Sequence, residues 1–160
     1  MQEERTCTIE HSSEIARSST TDVETMLNTF VFEADDTKSL IINYSGLEQL
    51  KKHMGYEDIV KHLVQSAQKH MDDHKTPQFI FHLFCNGMLM KDMMQHRKFM
   101  MSLAVMFRDT FPTQLYACYV HHAPSFFHSV YDMLHNIIPK SARDKIIMVK
   151  SNKKLQSQEK

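Results

Sequence analysis

The 160-residue sequence lacks tryptophan and contains only three glycines. So few glycines argue against a glycine-rich loop of the kind that cradles phosphate groups. No apolar run approaches the ~18 residues that suggest a membrane-spanning helix, and the N-terminal segment lacks the apolar core of a secretory signal. Because 19 basic residues balance 19 acidic ones, no net charge favours nucleic acid or a charged partner. We therefore expect a protein that is soluble or attached to something else.

Cysteine is scarce as well, and its three positions form an odd set. Cys85 and Cys118 lie within apolar, strand-like runs, whereas Cys7 lies in a polar segment. This usage favours a reducing compartment without disulfides, so we expect a cytoplasmic location, with peripheral contact at membranes left open.

The sequence also lacks a recognisable set of catalytic side chains. No serine stands in a Gly-x-Ser-x-Gly turn, no pair of carboxylates is placed for acid–base work, and a thiol buried in a strand is unreactive. We therefore predict a protein that is not an enzyme and that needs no cofactor.

The residues that are present predict an α/β domain between two polar ends. Residues 1–25 form a polar arm that we expect to be flexible, residues 26–151 form the domain, and residues 152–160 form a polar tail. Strands and helices alternate after residue 55, an order that builds a largely parallel sheet with helices on both faces. The predicted strands are 29–33, 39–44, 78–85, 115–121 and 145–150, and the predicted helices are 47–54, 56–73, 88–107, 124–138 and 141–144.

Two histidines, His70 and His74, stand four residues apart near the end of a predicted helix. That spacing can bind zinc, but the sequence offers no evident third ligand. We interpret the segment as a solvated helix end and predict no metal site. The many methionines of residues 88–107 predict an adaptable apolar helix face in preference to a soft-metal site.

Two further histidines follow the strand 115–121. Groups near the carboxyl ends of parallel strands face the usual ligand crevice, which makes His121 and His122 candidate polar contacts. The alternative is that one caps backbone groups and the other is exposed to solvent, and the sequence favours this alternative.

The spacing of aromatic residues and prolines over residues 111–150 resembles a CRAL-TRIO domain, the lipid-exchange fold. The similar residues are Phe111-Pro112, Leu115, the strand that follows it, His122-Ala123-Pro124, Phe127, Tyr131, Pro139 and Ala142-Arg143-Asp144-Lys145-Ile146. The sequence departs from the family pattern at two positions. His122 replaces an asparagine, and Tyr131 stands where the family has a bulky, tryptophan-like aromatic residue. Comparison with the family also leads us to expect that the N-terminal helical bundle and the C-terminal gate helix are missing.

The resemblance implies binding of a hydrophobic ligand, with a phospholipid as the expected class, in an apolar cleft beside the sheet. It implies that the cleft walls include Phe81, Leu83, Tyr119, Phe127 and Tyr131, with His121 and His122 as polar contacts. An alternative is a lipid-free protein–protein interaction module in which the open cleft is covered by a partner or by a second copy of the chain.

Overall fold

A five-stranded sheet organises the part of the chain described by this computed structural model, residues 22–35 and 39–150. The strands follow one another in the order β1-β2-β3-β4-β5. The first pair is antiparallel and the other three pairs are parallel, which confirms the expected α/β class. The strands are β1 Val31–Glu33, β2 Ser39–Asn43, β3 Phe79–Phe84, β4 Leu115–His121 and β5 Ile146–Met148.

Helices occupy most of the connections between these strands. They are α1 over residues 22–30, α2 Ser45–Lys51, α3 Tyr56–His74, α4 Met90–Gln95, α5 Arg97–Thr110, α6 Phe127–Leu134 and α7 Lys140–Arg143. Helix α3 follows the predicted span closely because Ile59, Leu63 and Ala67 recur at helical spacing and are fully buried.

The two faces of the sheet have different surroundings. We call one the cavity face, defined by Leu40, Ile42, Phe81, Leu83, Cys118, Val120, Ile146 and Met148, which are aligned across the strands. We call the other the outer face, defined by Phe32, Ile41, Ile80, His82, Phe84, Ala117, Tyr119, His121 and Ile147.

Every described helix contributes at least one side chain to a cavity that adjoins the cavity face. The described helical layer therefore lies on one side of the sheet and differs from the two-sided arrangement expected from the sequence. The strand order explains this difference. When each parallel strand is added on the same side of the last one, right-handed crossovers place all the connecting helices on one face.

The first described element also differs from the prediction. Residues 22–30 are helical, although residues up to 25 were expected in the polar arm and residue 29 was expected to begin a strand. Helix formation here buries Phe30 to 1% exposure. Gly46 packs closely beside it, because a side-chain carbon at that position would lie 3.2 Å from Phe30 and would push that residue by a few tenths of an ångström. Residues 1–21 and 151–160 lie outside the described residues.

The predicted helix 88–107 is interrupted at His96, whose φ of −94° and ψ of 11° leave the helical region. Two shorter helices result, and the residue His96 is 1% exposed. The methionine pattern could not indicate this break, because its cause is a set of polar partners on distant segments, described below.

The junction after β4 turns at His122, which has a φ of +53°. This left-handed conformation is uncommon for most residues, but asparagine, aspartate and histidine are enriched in it. The departure from the asparagine of the family pattern therefore keeps a residue that tolerates the turn. Pro124 does not begin helix α6 as predicted. Its carbonyl accepts a hydrogen bond from the Phe127 amide at 2.9 Å, and the helix begins at Phe127.

Candidate ligand cavity

An apolar cavity of about 280 Å³ lies between the cavity face and the helices. Its floor includes Ile42, Phe81 and Val120 from three neighbouring strands. Its walls come from the apolar stripe of α5 and from α6. The wall residues are Phe99, Met100, Leu103, Ala104, Phe107, Phe127, Val130, Tyr131 and Leu134. An arrangement of this kind removes apolar ligand surface from water, which is the main source of affinity for a hydrophobic molecule.

Packed aromatic rings support one side of this cavity. The ring of Phe107 lies 5.2 Å from that of Phe81 and 5.4 Å from that of Phe111, and Phe79 lies 5.1 Å from Phe111. These separations are typical of favourable edge-to-face and tilted pairs. The aromatic cluster joins β3, α5 and the loop that precedes β4, and so fixes the position of the cavity floor relative to its wall.

A buried polar group, His96, interrupts the apolar wall at the junction of α4 and α5. Its Nε2 is hydrogen-bonded to the carboxylate of Glu48, and its Nδ1 lies 2.7 Å from the hydroxyl of Tyr56. Because a carboxylate only accepts, Nε2 carries the proton and donates it, and a neutral ring then accepts from Tyr56 at Nδ1. This cluster connects α2, α3 and the α4–α5 junction, and it satisfies an imidazole that would otherwise be costly to bury.

Tyr44 and Asp92 line the cavity near His96. Burial raises the pKa of the Tyr44 hydroxyl far above its ordinary value, and the charges of Asp92 and Glu48 raise it further. Tyr44 is therefore a neutral hydroxyl at any physiological pH. A ligand at this end of the cavity would meet neutral polar groups and one carboxylate.

Two cationic side chains, Arg108 and Lys145, also line the cavity. Arg108 is exposed, so the cavity reaches solvent beside it. Its guanidinium bonds to Asp109 and donates to the carbonyl of Ile137 at 3.1 Å. This opening is thus apolar inside, and its edge carries the Arg108–Asp109 ion pair and the ammonium of Lys145.

The structure places only some of the predicted site residues in this cavity. Phe81, Leu83, Phe127 and Tyr131 line it. Tyr119 and His121 lie on the outer face instead, because Cys118 and Val120 are the residues of β4 that face the cavity. His122 is exposed in the turn after β4. The sequence indicated the alternation of β4, but it did not indicate which set of residues would meet Phe81.

Stacked rings occupy the outer face. The rings of Phe84 and His121 lie 4.4 Å apart and nearly parallel, and His82 stacks on Tyr119 at 5.2 Å. His82 Nδ1 and His121 Nε2 lie 2.9 Å apart in a hydrogen bond between the two rings. Burial lowers the pKa of His121, and the charges of His82 and His122 lower it further.

Both described cysteines are free thiols. Burial raises the pKa of the Cys85 thiol to about 12. Burial also raises the pKa of the Cys118 thiol to about 12, with a smaller contribution from the nearby Cys85. Such thiols are protonated and poor nucleophiles at neutral pH. Cys118 lines the cavity, where it acts as a small apolar group.

Comparison with known proteins places this architecture in a family. A sequence profile described as the CRAL/TRIO domain matches residues 30–159. The chain belongs to the CRAL-TRIO domain family. This family is generally lipid-binding, as the resemblance over residues 111–150 implied, and it is generally non-catalytic.

A solved structure confirms the fold of this CRAL-TRIO chain. The chain is similar to the crystal structure of Sfh5, with a TM-score of 0.64 and 18% identity over 78% of this chain and 48% of the Sfh5 chain. The chain therefore spans about half the length of Sfh5, and identity this low supports the fold alone. No curated protein matches the chain. Among the described residues, no helix has the length and apolar character needed to cross a membrane.

Proposed function

We propose that this CRAL-TRIO domain binds a phospholipid non-catalytically, with one acyl chain in the cavity and the headgroup at its open edge. The observation that carries this proposal is the apolar cavity itself, floored by the sheet and walled by α5 and α6. The family is generally lipid-binding, which supports a hydrophobic ligand in this position.

The size of the cavity supports a single chain. Its volume of about 280 Å³ lies just below the ~300–1,000 Å³ typical of small-molecule sites. One acyl chain or a compact apolar group suits this space better than both chains of a diacyl lipid. Lys145 favours a phosphate-bearing headgroup outside, and so does Arg108 if its guanidinium exchanges Asp109 for the phosphate.

Lipid transfer from vesicles tests this proposal. Phosphatidylcholine with a pyrene-labelled acyl chain would be offered in unlabelled phosphatidylcholine vesicles, and pyrene monomer fluorescence would report uptake by the protein. The substitution Ala104→Phe adds a phenyl ring at a residue that lines the cavity and so reduces the space for a ligand. The control Ser102→Phe adds the same ring at an exposed position of the same helix.

We expect uptake by the wild-type chain and by Ser102→Phe. We expect the affinity of Ala104→Phe to fall by about tenfold or more, equivalent to at least ~1.4 kcal/mol. Equal uptake by Ala104→Phe and the wild type, with both folded, would place the ligand outside this cavity and refute the proposal.

A protein–protein interaction module remains a second candidate, supported by exposed apolar residues beside the cavity wall. Leu89, Met90 and Met94 are 52%, 49% and 60% exposed, and they flank Met93, which lines the cavity. Sedimentation velocity over a wide concentration range tests this candidate. Concentration-dependent association that is abolished by Met94→Glu would favour it, whereas a monomer throughout would exclude the homodimer.

Location in a reducing compartment is part of the proposal. The free thiols of Cys85 and Cys118 support a cytoplasmic site of action, with transient contact at membranes during lipid uptake.

A further inference from the structure

Three side chains with metal-binding donor atoms meet where the end of α3 lies beside the edge strand β1. Glu33 is the last residue of β1, and His70 and His74 are one helical turn apart on α3. The Nδ1 of His70 lies 2.9 Å from Glu33 Oε1, and the Nε2 of His74 lies 3.3 Å from each oxygen of that carboxylate. One donor atom from each residue lies within 4.8 Å of the other two.

We propose that Glu33, His70 and His74 form a site for a zinc-like divalent cation. Two imidazoles and one carboxylate are a donor set that zinc accepts, with water as the fourth ligand. This proposal is independent of the lipid proposal, because none of the three residues lines the cavity.

The separations between donor atoms suit a tetrahedral ion. Bonds of about 2.0–2.1 Å at tetrahedral angles place neighbouring ligand atoms about 3.3–3.4 Å apart. The observed nitrogen–oxygen separations of 2.9 and 3.3 Å are within a few tenths of an ångström of that value. Small side-chain rotations would therefore exchange the hydrogen bonds for metal bonds.

Burial also favours the site. The side chain of His70 is fully buried, so that the protein holds its ring in place, while those of His74 and Glu33 are 29% and 45% exposed. The solvent side leaves room for entry of the ion and for a bound water. The ammonium of Lys69, one residue from His70, is paired with the carboxylate of Asp73, which offsets its repulsion of a cation.

One feature limits the affinity. Coordination through Nδ1 leaves the proton of His70 on Nε2, which is buried and has no acceptor among the described residues. Outer hydrogen bonds of this kind normally strengthen a metal-bound histidine by 10–100-fold. We therefore expect micromolar affinity. A bound ion would join the end of β1 to α3 and so stabilise the native chain.

Isothermal titration of zinc chloride into the chelator-treated full chain tests the proposal, with thermal unfolding in parallel. Glu33→Gln and His74→Ala each remove one partly exposed ligand, and both avoid the buried His70. His53→Ala is the matched control, because it removes an exposed histidine that lies outside this cluster. Visible absorption of cobalt(II) added in place of zinc would report a tetrahedral ligand field, independently of the heat measured by titration.

We expect one equivalent of zinc to bind the wild type and His53→Ala, and to raise Tm by about 5 °C or more at a hundredfold excess over Kd. We expect Glu33→Gln and His74→Ala to weaken binding by about 100-fold and to lose the Tm increase. Absence of saturable binding in the micromolar range would overturn the proposal, as would equal affinity in the wild type and both ligand variants.

Discussion

The cavity face and the outer face belong to the same strands, yet they hold different chemistry. On the cavity face, Phe81 and Val120 are buried against helices and carry no polar atoms in their side chains. On the outer face, their neighbours His82 and His121 form a hydrogen bond between stacked rings that are only partly buried. The comparison shows that the two-residue period of a strand, rather than its overall hydrophobicity, decides which side chains are available to an apolar ligand.

The largest expected effect is on the free energy of unfolding, when one phenylalanine on each face is replaced by alanine. Phe81→Ala removes a ring that is 4% exposed and packed on Phe79 and Phe107, so it should lower the free energy of unfolding by about 3–5 kcal/mol. Phe84→Ala removes a partly exposed ring and should cost only about 1 kcal/mol. Urea-induced unfolding measures both values. Equal losses would mean that the outer face is as well covered as the cavity face.

A smaller effect should appear in thiol reactivity at adjacent positions. Cys118 faces the cavity, whereas a cysteine placed by Tyr119→Cys would face outward on the same strand. Because burial raises the pKa of Cys118 to about 12, the new thiol should react with iodoacetamide at least about tenfold faster at pH 8. Peptide mass spectrometry of the native protein separates the two sites. Faster labelling of Cys118 would show that the cavity is widely open to solvent.

The smallest expected effect concerns pH. The pKa of His121 is lowered from 6.5 in the folded state, first by burial, so the unfolded chain binds more protons near pH 6. Stability is therefore complete above the unfolded pKa and is lost as pH falls through the folded pKa. The urea concentration at the midpoint of unfolding should fall when the pH is lowered from 7.5 to 5.5. His121→Gln should make this decrease smaller.

Two controls keep that measurement specific. His128→Gln changes an exposed histidine on α6 and should leave the loss unchanged. His62, whose pKa burial also lowers, should account for part of the loss that persists in His121→Gln. An undiminished loss in His121→Gln would indicate that the paired rings of the outer face do not contribute to acid sensitivity.

Local patterns in the sequence were sufficient to predict several elements. The strand Leu115–His121 was predicted to the residue, because an apolar run lies between turn-forming residues and a Pro-containing junction. Helix α3 was predicted nearly as well from its repeating apolar residues. The largely parallel sheet followed from the alternation of strands and helices, and the family match over residues 30–159 confirms the resemblance.

Features that depend on distant partners were not predictable from local patterns. The break at His96 depends on Glu48 and Tyr56, which are 48 and 40 residues away. Glu33 lies 37 residues before His70, so the pair His70 and His74 was interpreted as a solvated helix end, which was wrong for the buried His70. A conspicuous histidine within an apolar, methionine-rich helix was the one available signal for His96.

Strand register explains the divided outcome for the predicted site. Phe81 and Leu83 were assigned to the cavity along with Tyr119 and His121, but Phe81 pairs with Cys118 and Leu83 pairs with Val120. A shift of one residue exchanges the two faces of a strand. Single-sequence patterns give the alternation within each strand, but they leave the register between strands undetermined.

Native mass spectrometry of the purified chain, followed by organic extraction and lipid analysis, is the first test of whether the cavity holds a lipid. We predict a monomer that carries one phospholipid in the wild type and in Ser102→Phe, and that carries none in Ala104→Phe. A folded chain that carries no lipid after expression and takes up none from phosphatidylcholine vesicles would contradict the claim that this cavity binds lipid.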